Sequence, residues 1–320
     1  MQPVEYSIGC FCVVSEMPNP MLPKPFSVVD CIQQQVYAAC YWEATAPKLG
    51  NVHPGARFDD LTYQHFLKAA EITSQVLSVV DRTGYGPSVL EAVRQCQQQL
   101  QTNANLGIIL LLAPLTLVSE KQSLQLGISD VIDSLGIDQA EFLFEAIRLA
   151  NPGGLGEADE QDVRQSPTLS VREAMALAAD RDQIAKAYRD DYEELFGFGV
   201  PTLLNEVNTK GQSFPQAIIS LQLRWLAHQP DSLIVRKSGW EAGIQVQQKA
   251  IDVLQQGGMH TEAGRKRAIQ FDEWLRLPEN RYNPGTTADL IAATLYIAFR
   301  EQWIPIPENT GSTECSKPDC

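Results

Sequence analysis

The sequence predicts an all-α protein, and three observations carry that expectation. Apolar residues recur at helical spacing in nearly every segment. Period-two alternation bounded by turns is almost absent. No Gly-x-Gly-x-x-Gly or Walker-type loop follows a strand-like run. The 320 residues suffice for one large domain or two ordinary ones, and neither an internal repeat nor a long linker divides them. The expected architecture is a single multi-helix domain of about ten helices. It spans residues 26–305, between a Pro-rich lead-in at 1–25 and a polar tail at 306–320 expected to be disordered.

Pro3, Pro18, Pro20, Pro23 and Pro25 make the lead-in extended. Ser27 to Asp30 reads as a helix start, and Val29, Ile32, Val36, Ala39 and Cys40 continue the helical period until Pro47. Thr62 is placed to cap a helix whose buried stripe includes Tyr63, Phe66, Leu67, Ala70 and Leu77. Gly84-Tyr-Gly86-Pro87 is a turn, with Pro87 suited to open the next helix. Thr102 to Val118 is nearly all apolar past Asn105, which predicts a central helix buried on every side. Asp138 to Ala150 is amphipathic and stops at Asn151-Pro-Gly-Gly154. Ser170 opens what reads as the longest helix, running to Phe196. Further helices fit Pro215–His228, Trp240–Gln256, Thr261–Arg276 and Thr286–Arg300.

The formal charge of −14 argues against a general nucleic-acid binder, which needs a basic stripe. It leaves nucleotides open, because Mg²⁺ bridges acidic side chains to phosphates. The longest apolar stretch, Leu106 to Val118, is too short to span a bilayer, and the N-terminus lacks the basic region of a signal peptide. We therefore expect a cytoplasmic protein with no membrane partner. Seven cysteines without regular spacing read as free or buried thiols, not as a disulfide framework or zinc site. The helical face over 240–256 is a candidate contact with a second copy of the chain.

The stretch from Glu43 to Asp60 is the strongest candidate site. It breaks a helical pattern with Pro47, Gly50, Asn51, Pro54 and Gly55, and packs Lys48, His53, Arg57, Asp59 and Asp60 into one loop. Gly50 and Gly55 allow close backbone approach to a ligand. Lys48 and Arg57 suit phosphate, and Asp59 and Asp60 offer hard oxygens to Mg²⁺. The acid pair alone is equally well explained as a helix N-terminus; the whole loop is better explained by a metal and a phosphorylated ligand. Thr102-Asn103 opens the most hydrophobic helix, where a ligand base or ribose is one partner for the amide and plain capping is another. Asp162, after the Gly-rich 153–156, is a weaker ligand candidate. Asp182 lies four residues before Lys186, the usual helical pair, whereas Asp180 sits in an apolar neighbourhood that calls for a partner or metal. Arg236-Lys237 reads as a solvated pair, and Asn283 to Asp289 as a polar helix start able to bind an anion.

Taken in order, Glu43…Pro47-Lys48-x-Gly50…Gly55-Ala56…Asp59, Thr102-Asn103…Gly107 and Gly153-Gly154-x-Gly156…Asp162 form the first half of a recognisable pattern. Arg172…Met175…Ala179-x-Arg181-Asp182…Tyr188 and Pro284-Gly285…Ala288-Asp289-Leu290 form the second. The series resembles the triphosphoribosyl-dephospho-CoA synthase family and runs from about residue 30 to 300. The resemblance implies an all-helical enzyme that takes ATP and 3′-dephospho-CoA, joins the ATP ribose to the acceptor 2′-hydroxyl and releases adenine. Where the family reads Pro-Lys-Pro-Gly, Gly-Ala-His and Gly-Thr-Asn-Thr-His-Lys-Gly, this chain has Pro47-Lys48-Leu49-Gly50, Gly55-Ala56-Arg57 and Gln101 to Gly107, without that His and Lys. These variants also resemble a divergent branch in organisms making tetrahydromethanopterin-type cofactors, so ribosyl transfer to another acceptor stays open. So does a non-catalytic nucleotide-binding role.

Carried onto these positions, the expected roles are as follows. Mg²⁺–triphosphate falls to Asp59, Asp60 and Asp182, and phosphate to Lys48, Gly50 and Arg57. Ribose or base falls to Thr102 and Asn103, and the far side of the pocket to Asp289. Glu43, Asp59 and Asp180 are the candidate catalytic carboxylates, with Glu43 or Asp180 as general base.

Overall fold

The computed structural model describes residues 30–102, 104–152, 163–209, 211–277 and 280–307. The lead-in at 1–25, the tail beyond 307, Asn103 and Asp162 lie outside these residues. The described residues form fifteen α-helices and no strand, which bears out the fold class with more helices than expected. In chain order they are α1 Asp30–Thr45, α2 Tyr63–Leu77, α3 Val80–Thr83, α4 Tyr85–Leu100 and α5 Leu106–Leu117. Next come α6 Leu124–Asp133, α7 Ile137–Ala150, α8 Val171–Ala178, α9 Gln183–Arg189 and α10 Val200–Val207. The last five are α11 Phe214–His228, α12 Ser232–Ser238, α13 Trp240–Gln255, α14 Glu262–Leu275 and α15 Gly285–Arg300.

One extra helix comes from the segment expected to be one long helix after Ser170; the others, α3, α6, α10 and α12, form where no helix was expected. Ser170 does cap α8, through a capping box with Glu173. The chain then turns at Asp180-Arg181, and Asp182 starts a new helix by accepting from the N–H groups of Ile184 and Ala185. Positive φ at Asp191 and Tyr192 ends α9, and a π-helical turn over Leu195–Gly199 leads into α10. Apolar periodicity continues through all of this, so the caps, not the pattern, set the breaks.

α5 is the hydrophobic axis, with Ile108 to Thr116 buried throughout. α1, α2, α4 and α15 pack around it, and α15 is itself buried over nearly its whole length. A second, smaller core joins α11, α12, α13 and α14 through Leu223, Val246, Val253, Phe271 and Leu275. α11 unites the two: Ile218, Leu221 and Trp225 face the first, and Ile219, Leu223 and Leu226 face the second. Cys40 and Cys96 are buried free thiols, both pushed up in pKa by burial, Cys96 to about 12. Among the described residues no helix is long and apolar enough to cross a membrane.

Candidate active site

A cleft of about 920 Å³ opens between the C-terminal end of α1, the N-terminal ends of α5 and α15, and the α8–α9 turn, with α7 and α12 closing its sides. Glu43, Asp59, Asp60, Asp182 and Asp289 are its acidic lining; Arg181, Arg236 and Lys237 are its cations. Its position follows from three polar ties that draw helix starts together. Asp231 caps α12 at the N–H of Ile234 (3.0 Å) and also accepts from the N–H and hydroxyl of Thr287 in α15 (2.7 and 2.8 Å). Ser232 donates to Thr286 at 3.1 Å. The N–H of Ser232 donates to Gln183 of α9 at 2.8 Å.

Asp289 sits one turn into α15, on the floor of the cleft. A Cβ added at Gly107 would lie 2.0 Å from its Oδ2, so the carboxyl presses against the first turn of α5, and only glycine fits there. Burial pushes its pKa well above the usual carboxylate range. The nearby charges of Glu43, Asp231 and Asp182 push the same way, and Arg236 opposes them. Asp182 Oδ2 pairs with Arg236 at 2.7 Å, tying the α9 cap to α12 across the cleft.

The structure therefore brings Glu43, Asp59, Asp60, Thr102, Asp182 and Asp289 to one cleft. Other expected site residues are placed elsewhere. Lys48 turns inward: Nζ lies 2.7 Å from Glu43 Oε1, donates to the Glu43 carbonyl at 2.5 Å, and is 0% exposed. Gly50, at φ +71°, packs on Leu275 and donates its N–H to Asp272 at 2.7 Å, so its role is to seat the loop on α14. Arg57 is exposed and does not line the cleft. Asp180, expected in an apolar setting, is 95% exposed and pairs with Arg189 at 2.8 Å, because the turn after α8 carries it outward. Asp182 does not pair with Lys186, which reaches Glu194 instead at 3.1 Å. With Oδ1 on two amides and Oδ2 on Arg236, its oxygens are already engaged. Asn103 lies outside the described residues.

What sequence reasoning undervalued is the cationic side. Arg236-Lys237 looks like a solvated pair, yet both line the cleft, as does Arg181. The helix periodicity of 232–238 offers a signal only once α12 is known to start at Asp231 beside α15. Among the described residues no three His, Cys, Asp or Glu side chains converge as a preformed metal cage.

A helical protein with an acid-floored, cation-walled cleft is built to hold a polyanion beside protonatable carboxyls. Comparison with known proteins places that class. Residues 30–307 match the model of the CitG family, ATP:dephospho-CoA triphosphoribosyl transferase, and the chain belongs to that family. A Pseudomonas putida protein named as a 2-(5''-triphosphoribosyl)-3'-dephosphocoenzyme-A synthase is 30% identical over 127 residues. That match covers 40% of this chain and 43% of the relative's length. The crystal structure of an Archaeoglobus fulgidus protein assigned as a triphosphoribosyl-dephospho-CoA synthase superposes with a TM-score of 0.58 at 25% identity, covering 74% of this chain and all of that one.

Proposed function

We propose that this protein transfers the 5-triphosphoribosyl group of ATP to the 2′-hydroxyl of 3′-dephospho-CoA, or of a related hydroxyl acceptor, with release of adenine. The observation that carries this reading is Asp289, a proton-holding carboxyl on the floor of a cleft walled by Arg181, Arg236 and Lys237. The cations and the start of α15, a sixteen-residue helix, suit the triphosphate. In transfer, the bond from ribose C1 to the base breaks and its electron pair leaves with the base. The acceptor oxygen bonds to C1 and loses its proton, and the departing base takes one up. Positive charge develops at C1, and the carboxylate potential from Glu43 and its neighbours stabilises it. Asp289, which holds a proton because its pKa is raised, gives that proton to the departing base and then takes up the one released by the acceptor hydroxyl. Glu43, held by Lys48, gives fixed charge at the end of α1. Asp180, on the outer surface, plays no part in this scheme.

The residues present fit Mg²⁺. That ion commonly takes one or two carboxylates plus substrate phosphates, and Asp59 and Asp60 offer hard oxygens at the cleft mouth without a complete protein cage. When bound, Mg²⁺ neutralises phosphate charge. A reaction that consumes ATP and a coenzyme precursor belongs to the cytoplasm.

The test is adenine release from ATP and Mg²⁺, with and without dephospho-CoA, followed by mass spectrometry. Adenine plus a triphosphoribosylated dephospho-CoA is the expected result. Adenine released equally without acceptor would make the protein a hydrolase. Mg²⁺-dependent ATP binding with no release under any condition would make it a non-catalytic binder.

A further inference from the structure

The wall that α5, α7 and α8 give to the cleft differs from the rest of it. Leu106, Ile108, Leu143, Phe144, Ile147 and Met175 face the space, and no residue those three helices place there is charged. The charged lining comes from the end of α1, the loop before α2, the α8–α9 turn, α12 and α15. Asp289 stands at the border, its carboxyl against Gly107 in the first turn of α5.

We propose that this apolar arm receives the departing base and is built for a neutral, planar purine. The inference rests on the functional reading above. The base hangs from C1 and the triphosphate from C5 through C4, and C1 and C4 lie on opposite sides of the ring oxygen, so the two groups leave the ring at separate corners. With the triphosphate on Arg181, Arg236 and Lys237 and C1 beside Asp289, the base enters the arm. The diphosphate of the acceptor does not fit there, because burying its charge among uncharged side chains costs more than apolar contact provides. The acceptor's diphosphate therefore lies towards the mouth, on the side of Asp59 and Asp60. The arm also explains how a base can be held by shape alone, without a charged partner.

The experiment uses calorimetry on the full chain with two probes, adenine and inorganic tripolyphosphate. Ala178→Phe and Ala174→Leu fill the arm from half-buried positions on α8. The expected result is at least tenfold weaker adenine binding and a raised KM for ATP, with tripolyphosphate affinity within twofold of the parent. Ile147→Ala, also half-buried, removes contact area instead of adding bulk and is expected to weaken adenine several-fold. Adenine binding unchanged in all three variants, with tripolyphosphate bound normally, overturns the arm assignment and leaves the transferase reading standing. Loss of dephospho-CoA binding with adenine binding kept would also overturn it, by giving the arm to the acceptor. Failure of the parent protein to bind either ATP or tripolyphosphate would overturn the functional reading itself, and the arm assignment with it.

Discussion

Tyr188 donates its phenolic proton to the carbonyl of Leu110 at 2.5 Å, at the one point in α5 where a proline removes the helical donor. Pro114 has no N–H, so the carbonyl four residues earlier loses its partner inside the most buried helix of the protein. Tyr85 completes the arrangement by bonding Tyr188 at 2.8 Å, and neighbouring Tyr192 donates to Leu111 at 2.9 Å. The tyrosines of α4 and of α9 with its following turn thus satisfy and brace α5 ahead of its proline, and the first turn of that helix forms part of the cleft.

Tyr188→Phe should therefore cost about 1–3 kcal/mol, the penalty of an unsatisfied buried carbonyl. Tyr192→Phe should cost less, because Leu115, unlike Pro114, carries an N–H for the Leu111 carbonyl. Urea unfolding of the two variants checks the order, and equal costs would refute this account of Pro114.

The buried pair of Lys48 and Glu43 makes a separate prediction. Lys48→Met leaves Glu43 without its counter-ion and should destabilise the protein by about 3–5 kcal/mol. Adding Glu43→Gln should restore part of that stability without restoring turnover. A phosphate-binding lysine would behave differently, losing ATP affinity at nearly unchanged stability. Melting temperature and ATP affinity measured together separate the two.

Asp289→Asn should lower kcat by roughly 10²- to 10⁴-fold, as expected for loss of the group that carries the proton between acceptor and base. Its effect on stability should have the opposite sign. The folded-state pKa is raised, so the folded protein binds this proton more tightly than the unfolded chain. The favourable contribution is present below the unfolded value and is lost as pH rises through the folded one. The asparagine variant escapes that loss, so its melting temperature should exceed the parent's at pH 8, and the gap should close towards pH 4. A variant less stable than the parent at pH 8 would refute the assigned burial of charge.

His53 reports on the loop from the other direction. Burial lowers its pKa to about 4, with Arg276 adding to the shift, and its Nδ1 accepts the N–H of Gly55 at 3.1 Å. The unfolded chain binds the extra proton between the ordinary value and about 4. Stability is therefore fully present above the ordinary histidine range and falls, by on the order of 2 kcal/mol, as pH drops through that window. His53→Asn should flatten this part of the pH–stability curve, and an unchanged slope would place the titration elsewhere.

Asn103 and the Gly-rich 153–162 segment add nothing to this comparison, lying outside the described residues. Much of the rest was legible before any coordinates. α7, α11, α13, α14 and α15 begin and end within a residue or two of where periodicity and caps place them. The resemblance that names the family is also local in character: short runs such as Arg181-Asp182 and Ala288-Asp289, read in order. Helical period, N-caps and motif spacing act over three or four residues, so one sequence suffices to read them. The direction a charged side chain takes is set over far greater separations. The loop holding Lys48 is pinned by Gly50 to Asp272, 222 residues away, and by the N–H of Leu49 to Gln222, 173 residues away. Those ties turn Lys48 into the core, while the bond of Asp231 to Thr287 seats α12 beside α15. By itself the sequence determined that this is a helical protein carrying the residues of a phosphate-handling family. Only tertiary structure decided that Arg236 and Lys237, not Lys48 and Arg57, face the cleft, because burial and partner geometry depend on contacts that no local pattern encodes.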